Sequence, residues 1–325
     1  MADHAEDDGD DIISFVYRGG QRAPRHVTHV LIDEAVNEIE EMDFSLCFNL
    51  LQVDTHDGIR KIGKRAFHGC RSLRRINLKS ALEIGYQAFY RCVNLANVEF
   101  GDRLERIGKN AFYYCTSLQH LKLPSVTTIA PYAFHSCKSL TDIELSERLE
   151  SIGLGAFQFC TRLQRIAVPL KRDLFEYDVI EGYDHFNFCG QLTTVDLVGG
   201  IHKTVASLHM DSWRTEMTAE INRINQVLPN TIPMDKTYEI YQWMEVVMDK
   251  IDHYKAEHCR YVKEGVTLLE LALWKAKLRG GTEDSSVERQ TKKAKVDSAD
   301  ARKGKRITCG ADIVIKNVLP FLQLE

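Results

Sequence analysis

The sequence predicts a repeat solenoid, a right-handed superhelix with one short parallel strand and one helical turn per 22–23 residues, followed by an α-helical region. Three observations lead to it. Cysteines at 47, 70, 92, 115, 137, 160 and 189 stand 23, 22, 23, 22, 23 and 29 residues apart. Columns of Phe, Leu and β-branched residues keep phase with those cysteines. After Gly199-Gly200 the apolar spacing changes to that of helices. A fixed period of this length marks stacked units, none of which can bury its apolar face alone.

Three residues before each of these cysteines stands Phe, giving Phe44/Cys47, Phe67/Cys70, Phe89/Cys92, Phe112/Cys115, Phe134/Cys137, Phe157/Cys160 and Phe186/Cys189. These pairs are the expected structural spine. A Leu follows each Cys by three residues and a Val, Ile or Leu by six, so the unit reads I-G-x-x-A-F-x-x-C-x-x-L-x-x-I-x-L. The closing I-x-L alternates with polar residues, as in a strand with one buried face. Phe and Cys, three apart, are expected on one face of a tight helical turn. Stacked copies give one parallel sheet over a continuous core. Truncating Phe112, an inner ring, is expected to cost more than truncating Phe44, whose outer neighbour is degenerate.

Stretches such as IGKNAFYYCTSLQHLKL and IGYQAFYRCVNLANVEF resemble the BspA-like class of leucine-rich repeats, whose mark is I-G-x-x-A-F-x-x-C-x-x-L. The resemblance covers residues 27–198 and implies a leucine-rich-repeat solenoid serving adhesion, recognition or scaffolding. The whole chain also looks like a group of algal proteins with these repeats, no secretion signal and a helical carboxy-terminal region, which implies an intracellular protein. The last repeat departs from the pattern. Its I-G pair is missing and six residues are inserted within 170–185.

The ends follow the same logic. Residues 1–11 carry six acids and no Lys or Arg, an acidic tail rather than a secretory signal. Residues 12–43 read as an amino-terminal cap and a degenerate first coil. Val27, Val30 and Ile32 lie 23 residues before Leu50, Val53 and Thr55, and DIISFVYRGG alternates like an edge strand. The repeats fill 44–198, and residues 199–278 read as helical. Met210, Trp213, Met217, Ile221, Ile224 and Leu228 share one face. Ile240, Met244, Val247, Ile251, Tyr254, His258 and Tyr261 form heptads that Gly265 is expected to break. Part of this region should cover Leu192, Val195 and Leu197 of the last coil, and the surplus should meet another chain or fold into a hairpin. Residues 279–306 form a basic linker and 307–325 a short terminal helix.

No catalytic residue, metal site or cofactor is indicated. Each Cys is a full coil from the next, unlike the close pairs of a zinc site, so the column reads as buried thiols. His253 and His258 are five apart, off the spacing of a zinc helix. No G-x-S-x-G, P-loop or G-x-G-x-x-G occurs, and no enzyme is expected. A closed polar pocket at the insertion would be the sign of one. No run of 18 apolar residues is present to span a membrane, and a net charge of −4 offers nucleic acid no global attraction.

Residues flanking the buried positions of each strand are expected to point out of the concave face. They are Gln52 and Asp54, Arg75 and Asn77, Asn97 and Glu99, His120 and Lys122, Asp142 and Glu144, Arg165 and Ala167, Thr194 and Asp196. Their charge alternates by coil. A nucleic-acid site would show one basic field, whereas a mixed-sign ladder suits a protein or peptide partner. It also keeps like charges off adjacent strands, which is the plainer reading. Lys292, Lys293 and Lys295, with Arg302, Lys303, Lys305 and Arg306, read as a nuclear-import pattern or as a solvated linker. The function expected is a non-catalytic protein-interaction scaffold of the cytoplasm, reaching the nucleus if those clusters act. The alternative is a regulatory scaffold working through a self-associating helical tail, with the solenoid as docking arm.

Overall fold

The computed structural model describes residues 12–176, 184–198 and 211–280. They form a parallel β-solenoid and a helical region. The described residues divide into two units, those up to 198 with 211–249, and 250–280.

Six coils contribute two strands rather than the one expected, because the Ile five residues before the Phe also bonds to its neighbours. A long row contains β1 (Ser14–Tyr17), β2 (His29–Ile32), β4 (Gln52–Asp54), β6 (Arg75–Leu78) and β8 (Asn97–Phe100), then β10 (His120–Lys122), β12 (Asp142–Glu144), β14 (Arg165–Val168) and β15 (Thr194–Leu197). A short row of two-residue strands contains β3 (Glu38–Ile39), β5 (Lys61–Ile62), β7 (Glu83–Ile84), β9 (Arg106–Ile107), β11 (Thr128–Ile129) and β13 (Ser151–Ile152). Equivalent residues stand opposite one another: Val53 faces Ile76, which faces Val98. The long row is interrupted between β8 and β10. There Phe100 replaces the usual Leu or Val, its ring edge-on to Phe112 at 5.7 Å. Val98 and Phe100 are only half-buried, where Ile76 and Leu78 are buried. The larger ring takes the space into which a Leu would settle, and pairing lapses beside it.

The expected helical turn is also corrected. The first six Phe coils instead make consecutive turns with left-handed residues two before and two after the Phe, as at Gln87 and Arg91 or Asn110 and Tyr114. These residues rotate alternate peptides out of the coil. The N–H groups of Gln87, Phe89 and Arg91 donate to Lys109, Ala111 and Tyr113 of the next coil at 2.7–3.0 Å. Those of Ala88, Tyr90 and Cys92 donate three residues back within the turn. A helix would aim every N–H along its own axis and leave neighbouring coils unbonded. The inter-coil ladder offsets the roughly 1–2 kcal/mol that each left-handed residue costs. The I-G glycine has a related origin. A Cβ on Gly63, Gly85 or Gly108 would come within 2.7–2.9 Å of the preceding coil's backbone.

Inside the coils the seven Phe rings are fully buried and stack face to face, 5.0–5.7 Å apart and within 7° of parallel. Beside them each thiol from Cys70 to Cys189 donates to the carbonyl of a Phe one coil back, at 3.0–3.3 Å. At the amino-terminal end Tyr17 continues the column. Its ring lies 5.0 Å from Phe44, and its hydroxyl donates to Asp43. Phe44 therefore has a ring on both sides, so the smaller loss expected there is corrected: truncation of Phe44 should cost as much as at inner positions.

At the other end the insertion continues the short row irregularly. Phe175 bridges Ile152, and the Ile152 N–H donates to Leu174 at 2.7 Å. His185 takes the place of the small Ala before the Phe and is fully buried, with its Nε2 3.0 Å from the Ile152 carbonyl. Burial pushes its pKa down to about 4. The unfolded chain thus binds a proton here below about pH 6.5 while the folded chain does not. Stability from this group is complete above pH 6.5 and is lost as pH falls from 6.5 to 4, by roughly 3 kcal/mol. His185→Gln keeps a donor for Ile152 and cannot titrate. Its melting temperature should fall less than that of the native chain between pH 7 and 4.5; parallel curves would contradict this.

Two helices follow, α1 (Asp211–Val227) and α2 (Lys236–Gly280), joined through a 3-10 turn at Leu228–Asn230. Met217, Ile224 and Leu228, with Ile240, Trp243, Met244 and Val247, are buried in the first unit. The second unit contains the rest of α2. Gly265 does not interrupt it, contrary to expectation, because one glycine costs only about 1 kcal/mol against a run of strong helix formers. Along the heptad stripe Tyr254 and His258 are half-buried and Tyr261 is exposed. Among the described residues no helix is long and apolar enough to cross a membrane.

Candidate interaction surface

The strand alternation that buries Val53, Ile76 and Leu121 sends the flanking side chains out of the long row. Asp54, Arg75, Asn97, Glu99, His120, Lys122 and Glu144 are exposed, while Gln52, Asn77, Asp142, Arg165, Thr194 and Asp196 are half-buried. Ala167 departs from the expectation and is buried, its small side chain sitting among the longer ones of its neighbours.

The alternating charges meet one another. Lys122 lies 3.5 Å from Glu144 of the next coil, and Arg75 donates to Gln52 at 2.7 Å. Arg165 bridges three coils, with Asp142 at 3.1 Å on one side and Asp196 at 3.0 Å on the other. Desolvation lowers the pKa of this guanidinium and the two carboxylates more than restore it, holding its charge. Sequence alternation alone did not reveal that Arg165 serves two partners at once. Before the interruption at β8 the face holds an open depression of about 360 Å³, lined by Gln52, Asp54, Arg75, Asn77, Asn97 and Glu99.

The thiol column forms no site of this kind. Burial pushes Cys47 up to about 11, and Cys70, Cys92, Cys115 and Cys160 well above the ordinary thiol range, so they stay protonated and unreactive. Among the described residues no group of His, Cys, Asp and Glu is arranged to hold a metal ion. His253 lies 3.9 Å from Glu257, an exposed contact within the helix. Residues 177–183 of the insertion fall outside the described residues, as do Lys292, Lys293, Lys295, Arg302, Lys303, Lys305 and Arg306.

Three residues that close the last coil carried no repeat signal. Asn225 accepts from the Val195 N–H at 2.8 Å and donates to its carbonyl at 3.2 Å, as a further strand would. Thr237 accepts the Phe186 N–H at 2.8 Å, in the place of a next coil's carbonyl. Buried Lys236 donates to the carbonyls of Gly190 and Leu192. A second ring ladder on the turn side was also missed. His68, Tyr90, Tyr113 and His135 stack 4.5–5.0 Å apart, half-buried. Its signal was the residue after each column Phe.

The sequence profile of the BspA type leucine rich repeat region matches residues 24–95 and 82–206, in six copies. A T. pallidum leucine rich repeat protein is 31% identical, with 51% of this chain and 78% of that one covered and a TM-score of 0.46. A leucine-rich repeat protein from Bacteroides ovatus is 21% identical, covering 57% of this chain and 55% of that one, with a TM-score of 0.43. No curated protein matches. The matched profile spans more than half of these 325 residues, and the chain belongs to the BspA-type leucine-rich repeat family.

Proposed function

We propose that the protein is a non-catalytic interaction scaffold whose long strand row binds a protein or peptide partner. The observation that carries this is the face itself: outward side chains of both signs, in register from β4 to β8 and again from β10 to β15, with a polar depression over its first coils. Mixed charge of this kind selects a partner by complementarity more than by bulk attraction. The family is typically non-catalytic and supports an interaction role in general terms.

Arg75→Glu with Lys122→Glu is the cleaner test, since both positions are exposed, whereas Arg165→Glu would set three carboxylates together. The double variant should melt within a few degrees of the native chain and lose binding to the partner retrieved with it. Unchanged affinity would move the site away from the strands.

A second reading has its own observation. Leu268, Leu271 and Trp274 of α2 are 61–68% exposed, which favours a tail that covers itself with a second copy. Light scattering of the intact chain as a monomer would remove that reading. Seven buried reduced thiols and the two basic clusters support a working place in the cytoplasm, with entry to the nucleus. A fusion that stays out of nuclei with or without Lys292→Ala, Lys293→Ala, Arg302→Ala and Lys303→Ala contradicts the nuclear part.

A further inference from the structure

The turns of the five inner coils have a charge pattern unlike that of the strand row and unlike that of the first coil, where residues 40–51 carry Glu40, Glu41 and Asp43. Residues 63–74, 85–96, 108–119, 130–141 and 153–164 contain eight Lys or Arg and no Asp or Glu, in a chain whose net charge is −4. The inter-coil hydrogen bonds and the His68–Tyr90–Tyr113–His135 stack place these stretches side by side. Lys64 pairs with Glu41 at 3.0 Å. Arg71, Arg74, Arg91, Lys109, Lys138 and Arg162 are exposed and have no carboxylate partner among the described residues. Several lie over rings instead: Arg71 is 5.3 Å from the centre of Phe48, and Arg91 and Lys138 flank Tyr114 at 5.9 and 5.6 Å. Exposed cations without carboxylate partners, repeated coil after coil and in three cases resting over rings, favour an extended polyanion.

We infer that this turn face is the docking surface for the chain's own acidic residues 1–11. Charge is the first argument. Asp3, Glu6, Asp7, Asp8, Asp10 and Asp11 are opposite in sign to the six exposed cations named above. Position is the second. The described chain starts at Ile12, which lines an open cleft of about 400 Å³ together with Asn49 and Ser72. Ser72 lies between Arg71 and Arg74 in sequence, so Ile12, the residue that follows the acidic stretch, stands near the first cations of the row. Reach is the third. Eleven extended residues cover roughly 36–40 Å, and five coils about 4.8 Å apart span roughly 20 Å. The competing site is the basic stretch 289–306, which also carries eight Lys or Arg.

Carbodiimide coupling of the full chain, which joins a carboxylate to an amine only where they touch, distinguishes these. The Lys64–Glu41 pair serves as an internal control. Mass spectrometry should find amide links from residues 3–11 to Lys109 or Lys138. Those links should vanish in 1 M salt, where the screening length is about 3 Å, and in a variant with all six acids changed to Asn or Gln. Links confined to Lys292, Lys293 or Lys295 would overturn the proposal. So would links formed only between copies in an isotopically mixed sample, or a Lys64–Glu41 link with none from residues 3–11.

Discussion

Phe112→Ala should lower the unfolding free energy by ~3–5 kcal/mol, the range for emptying a large buried aromatic site. Phe112 has no exposed surface, stacks on Phe89 at 5.0 Å and Phe134 at 5.2 Å, and takes the edge of Phe100 at 5.7 Å. The cavity cannot collapse easily, because the coils on either side are fixed by the turn ladder. Denaturant melts give the loss, and Phe48→Ala is the control. Phe48, one residue after Cys47 and outside the column, is 42% exposed, so its loss should stay below about 1 kcal/mol. Equal small losses at both positions would mean that the column is not core.

Removing the cap should act from the end inward. Asn225→Ala strands the Val195 N–H and carbonyl, and Thr237→Val, nearly isosteric, strands the Phe186 N–H. Each buried orphan costs about 1–3 kcal/mol. Stacked repeats contact mainly their neighbours, so the last coil should open before the inner ones. Hydrogen exchange at Val195 and Phe186 should quicken far more than at Ile76 or Phe89. Uniform acceleration along the chain would show that the helices do not terminate the stack in this way.

Much of the fold was legible because each coil buries the same residues in the same phase. The Phe, Cys and Leu columns are that repetition written seven times, and the Ile column six. The short row was not legible, since a two-residue strand such as Lys61–Ile62 has no alternation of its own. The left-handed turns were hidden for another reason. Gln87, Tyr114 and Tyr132 adopt positive φ without being glycine, held there by hydrogen bonds to a neighbouring coil that local propensity does not register. The strand-face charges were visible, but not the double pairing of Arg165, which needs Asp142 and Asp196 brought together from 54 residues apart. Asn225, Lys236 and Thr237 act once each, and a single act leaves no period to read.

We propose the strand row as the surface that meets the partner. Photo-reactive side chains placed singly at Asn77, Glu99 and Lys122, and for comparison at Tyr261 and Trp274, test it most directly in the intact chain. One partner should be cross-linked from the three strand positions and not from the two helix positions. Cross-linking from Tyr261 or Trp274 with none from the strands would contradict it.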